Sequence, residues 1–390
     1  MTSSAAPSRL PSLLSRTGLG SVVVVTLCAL AAFAKPASEK RAFMAPLLSN
    51  LQVLLPLSTP AQALADPDHR TTVEHALVNL SRGADALATH VRNEEPGVRS
   101  LGEAVAGEAR LLVHLWRRGD VNATAYGLQK LTRLCIGCHS TLPAANSALS
   151  RGFVDDTHLA RRPAHERAEL LLATRRFDEA LTTWEVFFRD PSVRPAQMMG
   201  PLVDYLVTAV RVQQDPARAS AALAHLAART DSWGNLREQL SLWRRDLAAL
   251  AAKPPVVSLA AARALVDEAD ARAAYPADRG PLVRWIAASS VLHQLLEARS
   301  LPPHEAAEAY YLLTLAEARI EQDFRLTEAE AYLSACIELA PHSDVALGCY
   351  HLLEEQLVLG LEGTGGGPLP QELEQRLRAL EAQAAPPGRR

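Results

Sequence analysis

The chain contains 390 residues, of which 48% are hydrophobic and 5% aromatic, and its formal net charge is −3. This length exceeds what one hydrophobic core usually organises, so we expect two or three domains. The near-neutral charge excludes a strongly basic nucleic-acid-binding surface, and the hydrophobic fraction excludes a disordered chain. Alanine and leucine dominate and β-branched runs are scarce, so the composition predicts an all-α fold.

Residues 1–34 have the pattern of an export signal. Arg9 and Arg16 precede an uncharged apolar run at 18–34, which ends in the tripeptide Ala-Phe-Ala, a pattern that suits cleavage. We therefore predict a periplasmic or otherwise exported protein. The run has 17 residues, at the short limit for a bilayer span, so the alternative is an uncleaved membrane anchor.

Residues 38–143 contain four amphipathic segments separated by short breaks. Short connections make successive helices antiparallel neighbours, so the pattern predicts an up-down-up-down four-helix bundle. Pro46 fits the first helix only within its first turn, and that helix should end before Pro56. The expected helices cover about 43–55, 70–91, Pro96 to the break at Gly119, and Val121 to the residues described next.

The fourth segment ends in Cys135-x-x-Cys138-His139. Cysteines three residues apart lie on one face of a helical turn, where their thiols can add to the two vinyl groups of haem, and the adjacent histidine can bind the iron. Zinc would need a second Cys/His pair at finger spacing, a thioredoxin-type motif would follow a strand, and a disulfide would leave the histidine unexplained. The sequence therefore predicts one covalent haem c.

An exported chain whose fourth bundle helix ends in this motif resembles the cytochrome c′ family and its low-spin relatives. The resemblance covers about residues 38–143. It implies a haem between the helices, near the end of the bundle at which the last helix finishes. Cys135 and Cys138 match the attachment cysteines of the family, and His139 matches its proximal ligand.

The sixth position of the iron has several candidates. The start of helix one and the end of helix two lie at the haem end of such a bundle, which brings Met44 and His90 within reach. Low-spin relatives of the family place a methionine ligand where Met44 lies, and high-spin members have an apolar residue further along, as at Leu47, Leu48 or Leu51. A His/Met haem suits electron transfer, whereas an open site has room for nitric oxide or carbon monoxide.

Arg133 lies one turn before Cys138 and is a candidate partner for a haem propionate, with an exposed bundle arginine as the alternative. No polar distal constellation and no nucleophile arrangement is evident in the sequence. We therefore expect an electron-transfer protein rather than an enzyme. The alternative is a haem-based sensor or scaffold that binds a diatomic gas, and a haem peroxidase is the third possibility.

After a linker at 144–163, the pattern changes to pairs of short helices. Two pairs, near 165–191 and 308–341, resemble tetratricopeptide-type units, although their first helices lack the tryptophan and glycine of that repeat. The residues that carry the resemblance are Ala180, Trp184, Phe187, Ala329, Leu333, Cys336 and Pro341.

We expect two helical repeat blocks, at 164–252 and 257–362, and a flexible tail with a short helix at 363–390. Stacked helix pairs present extended surfaces, so we expect a redox protein or another protein partner to dock there.

Cys336 and Cys349 lie nearly equidistant from a turn at Pro341. If the flanking helices are antiparallel, the two side chains face each other. In an oxidising compartment they are candidates for a disulfide, and the alternative is a pair of small buried thiols.

Overall fold

The computed structural model describes residues 37–58, 61–94, 96–141, 159–231, 234–275, 277–320, 326–362 and 369–386. These ranges contain fifteen α-helices and no strand, which confirms the all-α fold class. From Phe43 onward the chain forms one compact unit. The expected signal at 1–34 lies outside the described residues. No described helix is long and apolar enough to cross a membrane.

Four helices, which we call the N-terminal group, share one hydrophobic cluster, the N-terminal core. The second, third and fourth helices of this group begin and end close to the positions predicted from the sequence. Side chains at helical spacing build the core, and Leu54, Leu77, Leu112 and Leu128 are fully buried in it. The group consists of α1 (Ala37–Ser58), α2 (Arg70–His90), α3 (Pro96–Arg117) and α4 (Val121–His139).

Helix α1 differs from the prediction, because it continues through both Pro46 and Pro56. Each proline removes one backbone donor and strains the preceding turn. Around Pro46 the side chains of Ser49 and Asn50 donate hydrogen bonds to its carbonyl oxygen, at 3.0 and 2.6 Å. Four leucines between the two prolines are buried in the N-terminal core. Their burial offsets the local cost, so tertiary packing overrides the helix-breaking tendency of proline.

Helix α4 lies close against α3 because Gly127 has no side chain. A Cβ atom at this position would lie 2.6 Å from Leu112 Cδ2 and 3.2 Å from Glu108 Oε1. The start of α4 is capped by Asp120, whose carboxylate accepts a hydrogen bond from the Ala123 amide at 3.1 Å. The helix that carries the cysteine motif is therefore held firmly along its length.

Eleven further helices, the C-terminal group, form a succession of helical hairpins in which most consecutive helices pack together. The residues that suggested repeats at Ala180, Trp184, Ala329 and Leu333 are buried at helix interfaces. The group consists of α5 (Ala164–Ala173), α6 (Phe177–Arg189), α7 (Met199–Val207), α8 (Pro216–Ala227), α9 (Gly234–Ala252), α10 (Leu259–Arg272), α11 (Leu282–Glu297), α12 (Pro303–Ile320), α13 (Leu326–Leu339), α14 (Asp344–Glu362) and α15 (Gln371–Ala384).

One hydrophobic cluster, the C-terminal core, includes Ile136 on α4 and extends from Leu159 to Ala384. Residues on both sides of the expected boundary at 251–257 contribute to it, including Leu247 on α9 and Val266 on α10. The two helical blocks therefore share a core.

Among the described helices, two pairs pack closely between the N-terminal and the C-terminal group. Helix α4 packs against α5, and α3 packs against α13. At the second contact Arg99 pairs with Glu338 at 2.6 Å, and the Gly97 amide donates a hydrogen bond to Tyr310 Oη at 3.2 Å. Parts of α5, α12 and α13 are thus covered by the N-terminal helices of the chain itself.

Helix α15 is docked, in contrast to the flexible tail that the sequence suggested. It packs against α13 and α14, with Leu377 and Ala384 buried. The His342 amide donates a hydrogen bond to the Gln383 carbonyl at 2.9 Å, and Arg376 pairs with Glu330. These contacts hold the helix across its length, so the described part of the tail belongs to the folded unit.

Cys336 and Cys349 form a disulfide that joins α13 to α14, with their Cα atoms 6.4 Å apart. Both residues are fully buried. The bond closes a loop between residues 13 positions apart, so it restricts the unfolded chain near the turn between these helices.

We expect removal of this disulfide to lower the free energy of unfolding by about 3 kcal/mol, because the unfolded state regains loop entropy. The measurement is urea denaturation of the wild type and of Cys336→Ala/Cys349→Ala, each with and without reductant. Reductant should destabilise only the wild type. An unchanged midpoint for the wild type would contradict the bond.

Candidate haem site

The cysteine motif lies where the last turn of α4 passes between the two cores. Cys135 packs against the N-terminal core, and the next residue, Ile136, is buried in the C-terminal core. Cys135 and Cys138 are half-buried thiols one helical turn apart. Both thiols therefore lie at the end of α4, which contacts the N-terminal core and the C-terminal core.

His139, the last residue of α4, is oriented by the C-terminal group. Its Nδ1 lies 2.8 Å from the carbonyl oxygen of Ala173, at the end of α5. A carbonyl only accepts, so Nδ1 carries the proton and donates this bond. In the neutral ring the proton on Nδ1 leaves the Nε2 lone pair available, which is the tautomer that a metal ligand needs.

The surroundings of His139 favour its neutral form. Burial lowers the pKa of His139, the nearby Arg175 charge lowers it further, and the hydrogen bond to Ala173 raises it in part, with a result of about 4. A neutral imidazole binds iron, whereas an imidazolium cannot. The ring is therefore ready for a metal at neutral pH.

Arg175 adds a positive charge beside the motif. It lies in the turn between α5 and α6, in the left-handed region at φ 60°. Its guanidinium interacts electrostatically with Cys138 and His139 and lies 5.8 Å from the centre of the Phe177 ring. Its Nε is buried without a hydrogen-bond partner among the described residues. Such an orphaned donor near the Cys138 thiol and the His139 imidazole suits the carboxylates of a porphyrin.

Arg133, the predicted propionate partner, is engaged elsewhere. Its guanidinium pairs with Asp204 at 2.6 Å and with Glu169 at 2.7 Å, so it ties α4 to α7 and α5. Two carboxylates of the chain itself therefore bind the two terminal nitrogens of this guanidinium. The arrangement favours a structural role for Arg133, and Arg175 is the arginine whose position suits a propionate. The sequence held no signal for Arg175, because it lies beyond the motif and the linker.

The residues predicted for the sixth position lie at the start of α1 and at the end of α2. Met44 is half-buried and packs against this core, as does Cys135. Phe43 and His90 stack with ring centroids 4.3 Å apart, which brings the start of α1 to the end of α2. Leu47 and Leu51 are buried in the core. Ligation of the iron by Met44 stays a prediction.

Among the described residues, no group of three His, Cys, Asp or Glu side chains could hold a bare metal ion. Comparisons with protein-family models, curated proteins and solved structures found no match to this chain.

The lowered pKa of His139 predicts an acid-sensitive haem-free chain. The unfolded chain takes up a proton on this ring below about pH 6.5, and the folded chain does so only near pH 4. The free energy of unfolding should therefore fall as the pH drops through this window, by at most about 3 kcal/mol.

The measurement compares urea denaturation between pH 7 and pH 4 for the haem-free wild type and His139→Gln, which should lose less stability. His75→Gln, at an exposed position, is the control and should follow the wild type. Equal pH profiles for the wild type and His139→Gln would contradict the burial of a neutral ring.

Proposed function

We propose that this chain is an exported monohaem c-type cytochrome that transfers electrons. The haem c would be attached through Cys135 and Cys138 in a four-helix bundle formed by the N-terminal group, with His139 as the axial ligand. The observation that carries the proposal is the hydrogen bond from His139 Nδ1 to Ala173, because it leaves Nε2 for iron within a Cys-x-x-Cys-His motif.

The donor set fits this cofactor. The thiols are half-buried on one helical turn, the imidazole is held neutral, and the orphaned Nε of Arg175 adds a cation for the haem carboxylates. The bound haem would supply a reversible one-electron change at its iron. The chain itself would hold the porphyrin covalently, orient the imidazole and provide the charge of Arg175 on the proximal side.

The second cysteine pair supports export. Buried disulfides persist in oxidising compartments and are rare in the cytosol, and Cys336 and Cys349 form one here. A chain that receives covalent haem outside the cytoplasm must first be exported, so the motif also favours export. The leader pattern at 1–34, the disulfide and the motif thus favour the same compartment.

The helical hairpins of the C-terminal group support a role close to the haem. Because α5 supplies Ala173 and the turn after it supplies Arg175, the tetratricopeptide-like region would form part of the haem surroundings. A redox partner would then dock on hairpins that the N-terminal helices leave uncovered.

Binding of a diatomic gas is the second candidate function. Leu47 and Leu51 are buried where high-spin relatives of the cytochrome c′ family carry an apolar residue. If these leucines rather than Met44 face the iron, the sixth position is apolar and accessible only to small neutral ligands.

Covalent attachment is tested by expressing the full chain in cells that mature c-type cytochromes. We expect a coloured protein whose peptide 135–139 carries the mass of one haem, because both thiols form thioethers. Cys135→Ala/Cys138→Ala should lose the haem, and Cys336→Ala/Cys349→Ala is the control that should keep it. A colourless wild type would refute the proposal.

The sixth position is tested on the same protein by absorption spectra of the reduced state, with and without carbon monoxide. Electron transfer with a Met44 ligand predicts a low-spin spectrum that the gas leaves unchanged, and Met44→Ala should become high-spin and gas-sensitive. Val53→Ala, at an exposed position of the same helix, is the control and should leave the spectrum unchanged. A gas-sensitive wild type would favour the second function.

A further inference from the structure

Arg211 is a buried cation that the proposed function has not used. It lies in a π-helical turn, Thr208–Val212, that directly follows α7. The residue is only 4% exposed. Burial of a guanidinium is costly unless its charge and its donors are matched, and single π-helical turns often occur at functional sites.

The guanidinium of Arg211 reaches across the interface to the residue that follows His139. Its Nε donates to the Ser140 carbonyl oxygen at 2.9 Å, and its Nη2 donates to Ser140 Oγ at 3.2 Å. Its Nη1 donates to Ser289 Oγ at 2.8 Å and to Glu317 Oε1 at 2.5 Å. One side chain therefore joins the end of α4 to α11 and α12.

Glu317 supplies the charge that Arg211 needs. Burial raises the pKa of Glu317, but the Arg211 charge, the nearby His293 ring and the hydrogen bond from Ser289 outweigh it, and the pKa lies at about 2. The carboxylate is therefore ionised at neutral pH and forms a buried ion pair with Arg211. This pair is the anchor from which Arg211 extends to Ser140.

The contact at Ser140 acts on the end of the motif helix. The last carbonyls of a helix have no partner within the helix, and a cation near this end also interacts favourably with the helix dipole. Arg211 satisfies the Ser140 carbonyl, while the Ser140 amide still donates to the Ile136 carbonyl at 2.8 Å. The last turn, which contains Cys138 and His139, cannot unwind without breaking these bonds.

We propose that Arg211, anchored by Glu317, is a positioning residue that fixes the last turn of α4 and thereby the orientation of His139 toward the haem iron. The inference rests on the proposed function for the iron, but the clamp on the helix end exists without haem. Arg211 holds the backbone at Ser140, the residue after His139, and the Ala173 carbonyl holds the His139 ring. Two separate segments of the C-terminal group therefore orient the imidazole.

The test compares Arg211→Met with Arg218→Met as matched control. Arg218 is also partly buried and pairs with Glu185 at 2.6 Å in the same helical group, but its described hydrogen bonds do not reach the motif. Hydrogen exchange of the peptide 136–141 is measured on the haem-free chain. Exchange should accelerate about tenfold or more in Arg211→Met, because a hydrogen-bonded charge is lost, and should stay at the wild-type rate in Arg218→Met.

The same variants are then measured in the haem-loaded form, by reduction potential and by the iron–histidine stretching frequency. Arg211→Met should change both, and Arg218→Met should change neither. Arg211→Lys keeps the positive charge opposite Glu317 but lacks the several donors of the guanidinium. Its reduction potential and stretching frequency should therefore lie between those of the wild type and of Arg211→Met. If Arg211→Met does not fold, the Arg211→Lys shift alone decides the question.

Equal exchange rates and equal haem signatures in the Arg211 and Arg218 variants would overturn the inference. A wild type that carries no haem would instead refute the proposed function, and the exchange experiment would still report on the clamp. The two failures are therefore distinguishable.

Discussion

The hydrogen bond between His139 Nδ1 and the Ala173 carbonyl is the interaction on which the proposed haem site depends. Without it the imidazole could adopt either tautomer or rotate away from the thiols, and the motif would be two cysteines and an unoriented ring. The bond is possible only because α5 ends beside the last turn of α4. A contact between two helical groups thus decides which ring nitrogen carries the proton and which keeps its lone pair, and the latter would bind iron in the proposed site.

Charges at this contact are arranged around the same helix end. Arg133 ties α4 to α5 and α7, Arg175 stands beside Cys138, and Arg211 holds Ser140. Arg133 and Arg211 are each neutralised by carboxylates of the C-terminal group, whereas Arg175 keeps an orphaned Nε. A buried donor without a partner lowers the stability of the haem-free chain. The same donor would bind a carboxylate of the proposed haem.

The arrangement also changes how the helical hairpins are understood. A repeat region attached to a cytochrome suggests an independent docking module, with its surface left to a partner. Here α5, α12 and α13 are partly covered by the N-terminal helices, and the turn after α5 lies beside the motif. The hairpins therefore border the proposed haem site as well as forming a scaffold.

The sequence by itself determined the helical class, the extents of α2 to α4 and the motif at the end of α4, because apolar periodicity, caps and cysteine spacing are local properties of the chain. Tertiary structure decided the rest. Helix α1 passes through Pro46 and Pro56 because burial of its leucines outweighs the local cost. Ala173 and Arg211 reach the motif from 34 and 71 residues away, and Arg133 turns to Asp204 and Glu169. No local pattern encodes such partners, since they are set by which helices pack together after the chain has folded.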